Sequence, residues 1–207
     1  CRLSPSWLVK NSTRGLLRPD HPYALDRRAH PRPGRRPRRV LPRYPHSLGV
    51  KLGPTAKPDD ALRLLDLLDP DGEPGKIVLI TRMGAGAIRD ALPPLVRAVE
   101  ATERPVLWMS DPMHGNTQST SSGRKTRDFD AILAELEGVI DVHQDQGSVL
   151  GGVHFELTGD DVTECIGGAD GLTEDDLGRN YATLCDPRLN YRQALEMSFR
   201  LANRLRA

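Results

Sequence analysis

From residue 48 onward the sequence predicts a parallel α/β architecture, with a β/α barrel favoured over an open doubly wound sheet. Three observations carry this. Short, near-continuously apolar runs recur at 49–52, 77–81, 106–110 and 153–157, the pattern of strands buried on both faces of a parallel sheet. Amphipathic stretches separate the runs, so the chain repeats a βα unit. Polar residues gather at or near the C-terminal ends of the runs: Lys51, Arg82, Asp111 with His114, and Glu156. Barrel enzymes assemble sites from several strand ends on one rim, whereas an open sheet concentrates its chemistry at one switch point.

Taken in order, GVKL at 49–52 opens the series, and Pro58 suits the first turn of a helix over 58–68 with Ala61, Leu64, Leu65 and Leu68 on one face. IVLIT follows at 77–81. A helix over 85–101 carries Ile88, Ala91, Leu92, Leu95 and Val99, and Pro93 and Pro94 predict a kink in it because neither has an amide proton. After VLWMS at 106–110, a helix over 126–142 presents Phe129, Ile132, Leu133 and Leu136. In VHFEL at 153–157, period-two alternation sends His154 and Glu156 to one face. Asp160 and Asp161 predict a helix start stabilised by the helix dipole, with Cys165 a small core residue of that helix. A last helix over 192–205 is expected to bury Leu195, Met197, Leu201 and Leu205.

With 207 residues the chain is long enough for one domain with a sizeable core, although its hydrophobic fraction of 38%, aromatic fraction of 4% and mean hydropathy of −0.47 are lean. No run approaches the ~18–20 apolar residues that span a bilayer, and nothing reads as a signal peptide. Cys1, Cys165 and Cys185 form no CxxC pair, which favours a reduced, cytoplasmic setting. GxGxxG, P-loop, HExxH and GxSxG motifs are absent. A chain opening on Cys1 rather than Met is expected to be a fragment.

The formal net charge of +1 hides an asymmetry. Residues 1–47 carry 12 of the 29 basic residues, eight of the 17 prolines and only two acids, Asp20 and Asp26. Residues 48–207 hold the remaining 17 basic residues with 26 acids, a formal −9. The expected boundary therefore falls at residues 47–48. Pro and Arg at this density cannot build a core, so residues 1–47 are expected to be poorly ordered. The basic run 27–43 admits a second reading, a nucleic-acid-binding arm on a non-catalytic binding module, but only Tyr44 offers it an aromatic.

Three strings hold the candidate chemistry: DPMHGNT at 111–117, HFELTG at 154–159 and CDPRLN at 185–190. They supply His114, Glu156 and Asp186, an imidazole and two carboxylates, a ligand set suited to divalent Mn, Co, Fe or Zn. Each has a plainer reading. His114 can be an ordinary loop histidine, Glu156 one half of a structural ion pair, and Asp186 a helix cap. Lys51 and Arg82 are cations within strand-like sequence. They suit a phosphate or carboxylate substrate, or structural ion pairs with Glu156 or Asp111.

Taken together, GVKLGP, LITRMG, DPMHGNT, HFELTGDDVTECIGG and YATLCDPRLN resemble the class II (plant-type) 3-deoxy-D-arabino-heptulosonate 7-phosphate (DAHP) synthases, almost continuously over 48–207 and in family order. The resemblance implies a β/α barrel, of which this stretch is the last four strands and C-terminal helices. It implies condensation of phosphoenolpyruvate with erythrose 4-phosphate, the first step of the shikimate pathway. His114, Glu156 and Asp186 would be three of four metal ligands, for Mn²⁺ or Co²⁺. Lys51 and Arg82 would hold the phosphoenolpyruvate phosphate and carboxylate. The fourth family ligand is a cysteine from the N-terminal part of the barrel, and no segment here matches it. The fragment is therefore expected to be inactive alone, its full-length parent a homo-oligomer, with no membrane or nucleic-acid partner.

Residues 25–47 share nothing with the family stretch close to WIGERTRxxDGAHVEFFRGIRNP that precedes GVKLGP. Encoding 25–30 as CTG GAT CGG CGA GCG CAC and dropping the first base yields WIGERT, and with permitted choices of third base the same shift can be read on through residue 47 as RDLDGAHVEFFRGIRTP. Residues 1–47 are thus expected to be an out-of-frame translation, and a coding sequence whose shifted frame lacks WIGERT would end that reading.

Overall fold

The computed structural model describes residues 46–206. The expectations placed on residues 1–45, namely the shifted frame, the poor packing and the basic arm, lie outside the described residues. In chain order the elements are β1 (Leu48–Leu52), α1 (Pro58–Leu68), β2 (Ile77–Thr81), α2 (Ile88–Glu100), β3 (Leu107–Ser110), β4 (Thr117–Ser119), β5 (Lys125–Arg127), α3 (Phe129–Asp145), β6 (Leu150–Val153) and α4 (Tyr191–Arg204). Strands β1, β2, β3 and β6 form one parallel sheet in that spatial order, and β4 and β5 make a separate antiparallel hairpin. The fold is mixed α/β with a four-stranded parallel sheet.

The sheet runs in sequence order, with Lys51 opposite Ile80 and Ile80 opposite Met109. Consecutive right-handed crossovers along such a sheet keep all their helices on one face, and α1 packs on α2 and α2 on α3. Leu52, Ile77, Leu79 and Trp108 point into this helix layer and meet Leu65, Leu92, Leu95, Val96 and Val99, all almost fully buried. Alternate residues on the opposite face, Lys51, Ile80 and Met109, are only partly covered. A second core joins Met113, Phe129, Ile132, Leu136 and Cys165 with Leu189 and Met197. No helix among the described residues is long and apolar enough to cross a membrane.

Several elements depart from expectation. The last sheet strand is 150–153 rather than 153–157. A Cβ on Gly151 would come within 2.1 Å of Leu107 Cδ1, and the β3–β6 register shifts at this point. Beyond Val153 the chain keeps one ladder bond, His154 N–H to Ser110 O at 2.7 Å. It then pairs with the 186–189 segment, Leu189 N–H donating to Glu156 O and Thr158 N–H to Leu189 O, both at 3.0 Å.

α2 is assigned as one continuous helix that contains both Pro93 and Pro94, starting at Ile88 rather than residue 85. The two missing donors are offset by five side chains from that helix with essentially no exposure. The helix expected after Asp160 does not form. Its segment is instead held by long-range bonds, Thr163 N–H to Asn180 O and Ile166 N–H to Arg127 O at 2.9 Å. Cys165 is a core residue, but of this irregular connection.

In α4 the buried stripe is Gln193 and Met197, with Leu201 half-buried, while Leu195 and Leu205 are 44% and 64% exposed. The Gln193 amide fixes that rotation by donating to Cys165 O and Gly167 O. Asn190 caps the helix by accepting from Gln193 N–H.

One core group carries a pH dependence. His143, near the end of α3, is 2% exposed, bonded to Ser148 Oγ and packed on Trp108 with ring centroids 5.5 Å apart. Burial pushes its pKa down to about 4 from 6.5. Between those values the unfolded chain binds a proton that the native state refuses. Stability is therefore complete above about pH 6.5 and falls as pH drops toward 4, by on the order of 3 kcal/mol. His143→Phe, which cannot protonate, is expected to flatten this part of the pH–stability curve in urea titrations.

Candidate metal centre

Asp111 organises the first ligand. It follows β3, where its amide still donates to Thr81 O at 2.7 Å, and its side chain has no exposure. Its Oδ1 accepts the backbone N–H groups of Met113 and His114, both at 3.2 Å, and lies 2.9 Å from His114 Nδ1. Its Oδ2 lies 2.5 Å from Lys51 Nζ and 2.7 Å from His114 Nδ1. Burial raises the Asp111 pKa, but Lys51 and His114 outweigh it and hold the carboxyl below its usual range. A carboxylate can only accept, so the neutral ring carries its proton on Nδ1 and turns the Nε2 lone pair outward.

That lone pair meets the two other candidates. His114 Nε2 is 3.4 Å from Glu156 Oε1 and 4.0 Å from Asp186 Oδ2. One donor atom from each of the three residues falls within a 4.8 Å cluster, and all three side chains are half-buried. Glu156 arrives because its strand ends early and pairs with the 186–189 segment. Asp186 arrives on a loop anchored by buried Glu164, which accepts from Arg188 N–H at 2.8 Å, Nε at 3.0 Å and Nη2 at 2.7 Å. Desolvation raises the Asp186 pKa, yet Lys125 Nζ at 3.2 Å brings the net shift below the usual carboxylate value.

The donor set fits a divalent cation. One imidazole nitrogen is free while the other is held by a carboxylate, and two carboxylate oxygens converge on the free one, the arrangement in which histidine ligates metals. The plainer readings fare differently, and the ion pairs expected of Glu156 and Lys51 are present. Asn190, not Asp186, caps α4. Glu156 does have an ion-pair partner, Arg127 Nη1 at 2.5 Å from Oε2, but it presents Oε1 to His114. Lys51 pairs with Asp111 and remains 39% exposed. Arg82 is exposed one residue beyond the end of β2, where its amide donates to Leu52 O, and its side chain has no partner among the described residues.

Residues 43–202 match the class-II DAHP synthetase family. The chain belongs to that family. It is 50% identical over 159 residues to the phospho-2-dehydro-3-deoxyheptonate aldolase AroG of Mycolicibacterium smegmatis, covering 77% of this chain and 34% of that protein. Phospho-2-dehydro-3-deoxyheptonate aldolases of Neurospora crassa and Streptomyces coelicolor are 53% and 50% identical over 161 and 164 residues. Those matches cover 77% and 79% of this chain and 34% and 36% of the relatives. The chain thus spans about one third of the length of the curated relatives it matches.

In this class-II DAHP synthetase chain, three residues at the centre escape a reading of the sequence. Lys125 and Arg127, alternate residues of β5, reach Asp186 and Glu156. Their spacing of two is the only sequence signal, and the helix periodicity expected over 126–142 masks it. Glu135 lies inside α3 with no exposure and ties two loops together. Its Oε1 accepts Met83 N–H and its Oε2 accepts Asn116 Nδ2, both at 2.7 Å. Asn116 in turn accepts Ala85 N–H at 3.0 Å. The loops touch closely enough that a Cβ on Gly115 would lie 2.4 Å from Gly84 N, and Gly84 itself has a φ of +85°. Burial pushes the Glu135 carboxyl up, against these hydrogen bonds.

Proposed function

We propose that residues 48–207 form the last four strands and C-terminal helices of a DAHP synthase barrel, carrying its metal site and its phosphoenolpyruvate site. The observation that carries this is the convergence of His114, Glu156 and Asp186 in a chain of this family. Four parallel strands in sequence order, with helices on one face, support the barrel.

In this reading His114, Glu156 and Asp186 hold Mn²⁺ or Co²⁺, which when bound supplies Lewis acidity toward the aldehyde oxygen of erythrose 4-phosphate. Asp111 keeps the proton on His114 Nδ1 and so keeps Nε2 available as a donor. Arg82, with no side-chain partner among the described residues, and Lys51, shared with Asp111, hold the phosphate and carboxylate of phosphoenolpyruvate. Their charge offsets repulsion between two anionic substrates and orients C3 of phosphoenolpyruvate toward the aldehyde carbon. The C3–C bond forms, water adds at C2, and phosphate departs by C–O cleavage. Turnover needs the part of the barrel that the longer relatives add. The full-length protein is a cytoplasmic homo-oligomer in this reading, and nucleic acid plays no part.

Calorimetric titration of the 207-residue protein tests it. One Mn²⁺ per chain is expected, followed by phosphoenolpyruvate binding that Arg82→Ala weakens by roughly 10–100-fold, the worth of a charge-assisted contact. A folded chain that takes up no Mn²⁺ would overturn the reading.

A further inference from the structure

We infer that Arg127 is the positioning residue of the metal centre, a single buried guanidinium that sets the spacing of all three ligands; this rests on the metal reading above. Arg127 closes β5 with no exposure. Its Nε donates to Thr117 Oγ1 at 2.9 Å, three residues beyond His114. Its Nη1 donates to Glu156 Oε2 at 2.5 Å and to the carbonyl of Pro187, the residue after Asp186. Each ligand, or a near neighbour of it in the chain, is therefore bonded to one side chain. The backbone adds to this, since Thr117 and Arg127 are paired across the β4–β5 hairpin and Ile166 N–H donates to Arg127 O.

The location is electrostatically adverse for a cation site. A unit positive charge one carboxylate away from a divalent ion repels it, and burial strengthens that repulsion. Arg127 also occupies Oε2 of Glu156, leaving Oε1 as the oxygen that faces His114. Charge alone and position therefore predict opposite signs. If charge dominated, removing it would tighten Mn²⁺ binding and a lysine would be neutral. If position dominates, lysine fails as well, because an ammonium cannot reproduce a planar fork with three acceptors in fixed directions.

The test is Mn²⁺ affinity of the full chain, read from the free-ion electron paramagnetic resonance signal. Arg127→Lys and Arg127→Gln are each expected to weaken binding by about 10-fold or more, in the range of other residues that orient ligands. Thr117→Val, a milder change at an exposed residue, is expected to weaken it several-fold and carries the test if the Arg127 variants do not fold. With Co²⁺ at saturation, the visible absorption of Arg127→Lys should change shape as Glu156 is released, which a loss of folded protein alone would not produce. Unchanged or tighter Mn²⁺ binding in the folded variants overturns the inference while leaving the metal reading intact. A wild-type chain that binds no Mn²⁺ overturns both.

Discussion

Replacing His114 by alanine is expected to lower the Mn²⁺ affinity of the chain by about 100-fold or more and to leave the fold in place. The imidazole is the only nitrogen donor in the cluster, and its Nε2 sits 3.4 and 4.0 Å from the two carboxylate oxygens it would share an ion with. Without it, two carboxylates remain, and each already has its other oxygen bonded to a cation, Glu156 Oε2 to Arg127 and Asp186 Oδ1 to Lys125, so their charge is partly neutralised. Orienting partners of ligating histidines already cost 10–100-fold when mutated, and loss of the ligand itself costs more. Folding should suffer little. Asp111, the buried partner of the ring, keeps Lys51 and two backbone N–H donors. Competition with a chromogenic chelator gives the affinity and urea unfolding gives the stability; a variant that binds like wild type would remove His114 from the site.

Glu135→Ala is expected to destabilise the chain by about 2–4 kcal/mol and to weaken Mn²⁺ binding as well. The substitution strands the buried Met83 amide and takes one of two acceptors from the half-buried Asn116 side-chain amide, which keeps Pro112 O, and an unsatisfied buried donor costs about 1–3 kcal/mol. Burial also disfavours the Glu135 carboxylate itself, which returns part of that loss. Glu135→Gln should fall between wild type and alanine, because its carbonyl can still accept from Met83 while its NH₂ meets the Asn116 NH₂. The effect on metal binding follows from position. Met83 adjoins Arg82, and Asn116 lies two residues from His114, so the clamp fixes the loops that carry both. Urea titration of the three proteins with and without Mn²⁺ checks the order.

How far the sequence speaks for this chain depends on the range of the interaction. β1, β2, α1 and the core of α2 are legible because their patterns are local: alternation or 3.6-residue spacing within a dozen residues. His114, Glu156 and Asp186 are legible by type, since a carboxylate or imidazole beside an apolar run demands a partner. What decides between ligand and bland alternative is not local. Asn190, rather than Asp186, caps α4, and only the folded chain shows it. The end of β6 at Val153 depends on a bond between Glu156 and Leu189, 33 positions apart in the chain. Arg127, Lys125 and Glu135 are invisible for the same reason. Their partners lie 29, 61 and 52 residues away. The rotation of α4 follows Gln193, a polar residue that a hydrophobic pattern ignores.

Among the described residues β1 and β6 each pair on one side only, and the sheet face bearing Ile80 and Met109 is half covered. Open backbone margins of this kind template further strands. Molecules of this chain should therefore coalesce as concentration rises, scattering more light per molecule as they do, and a soluble partner supplying complementary strands should clear the solution.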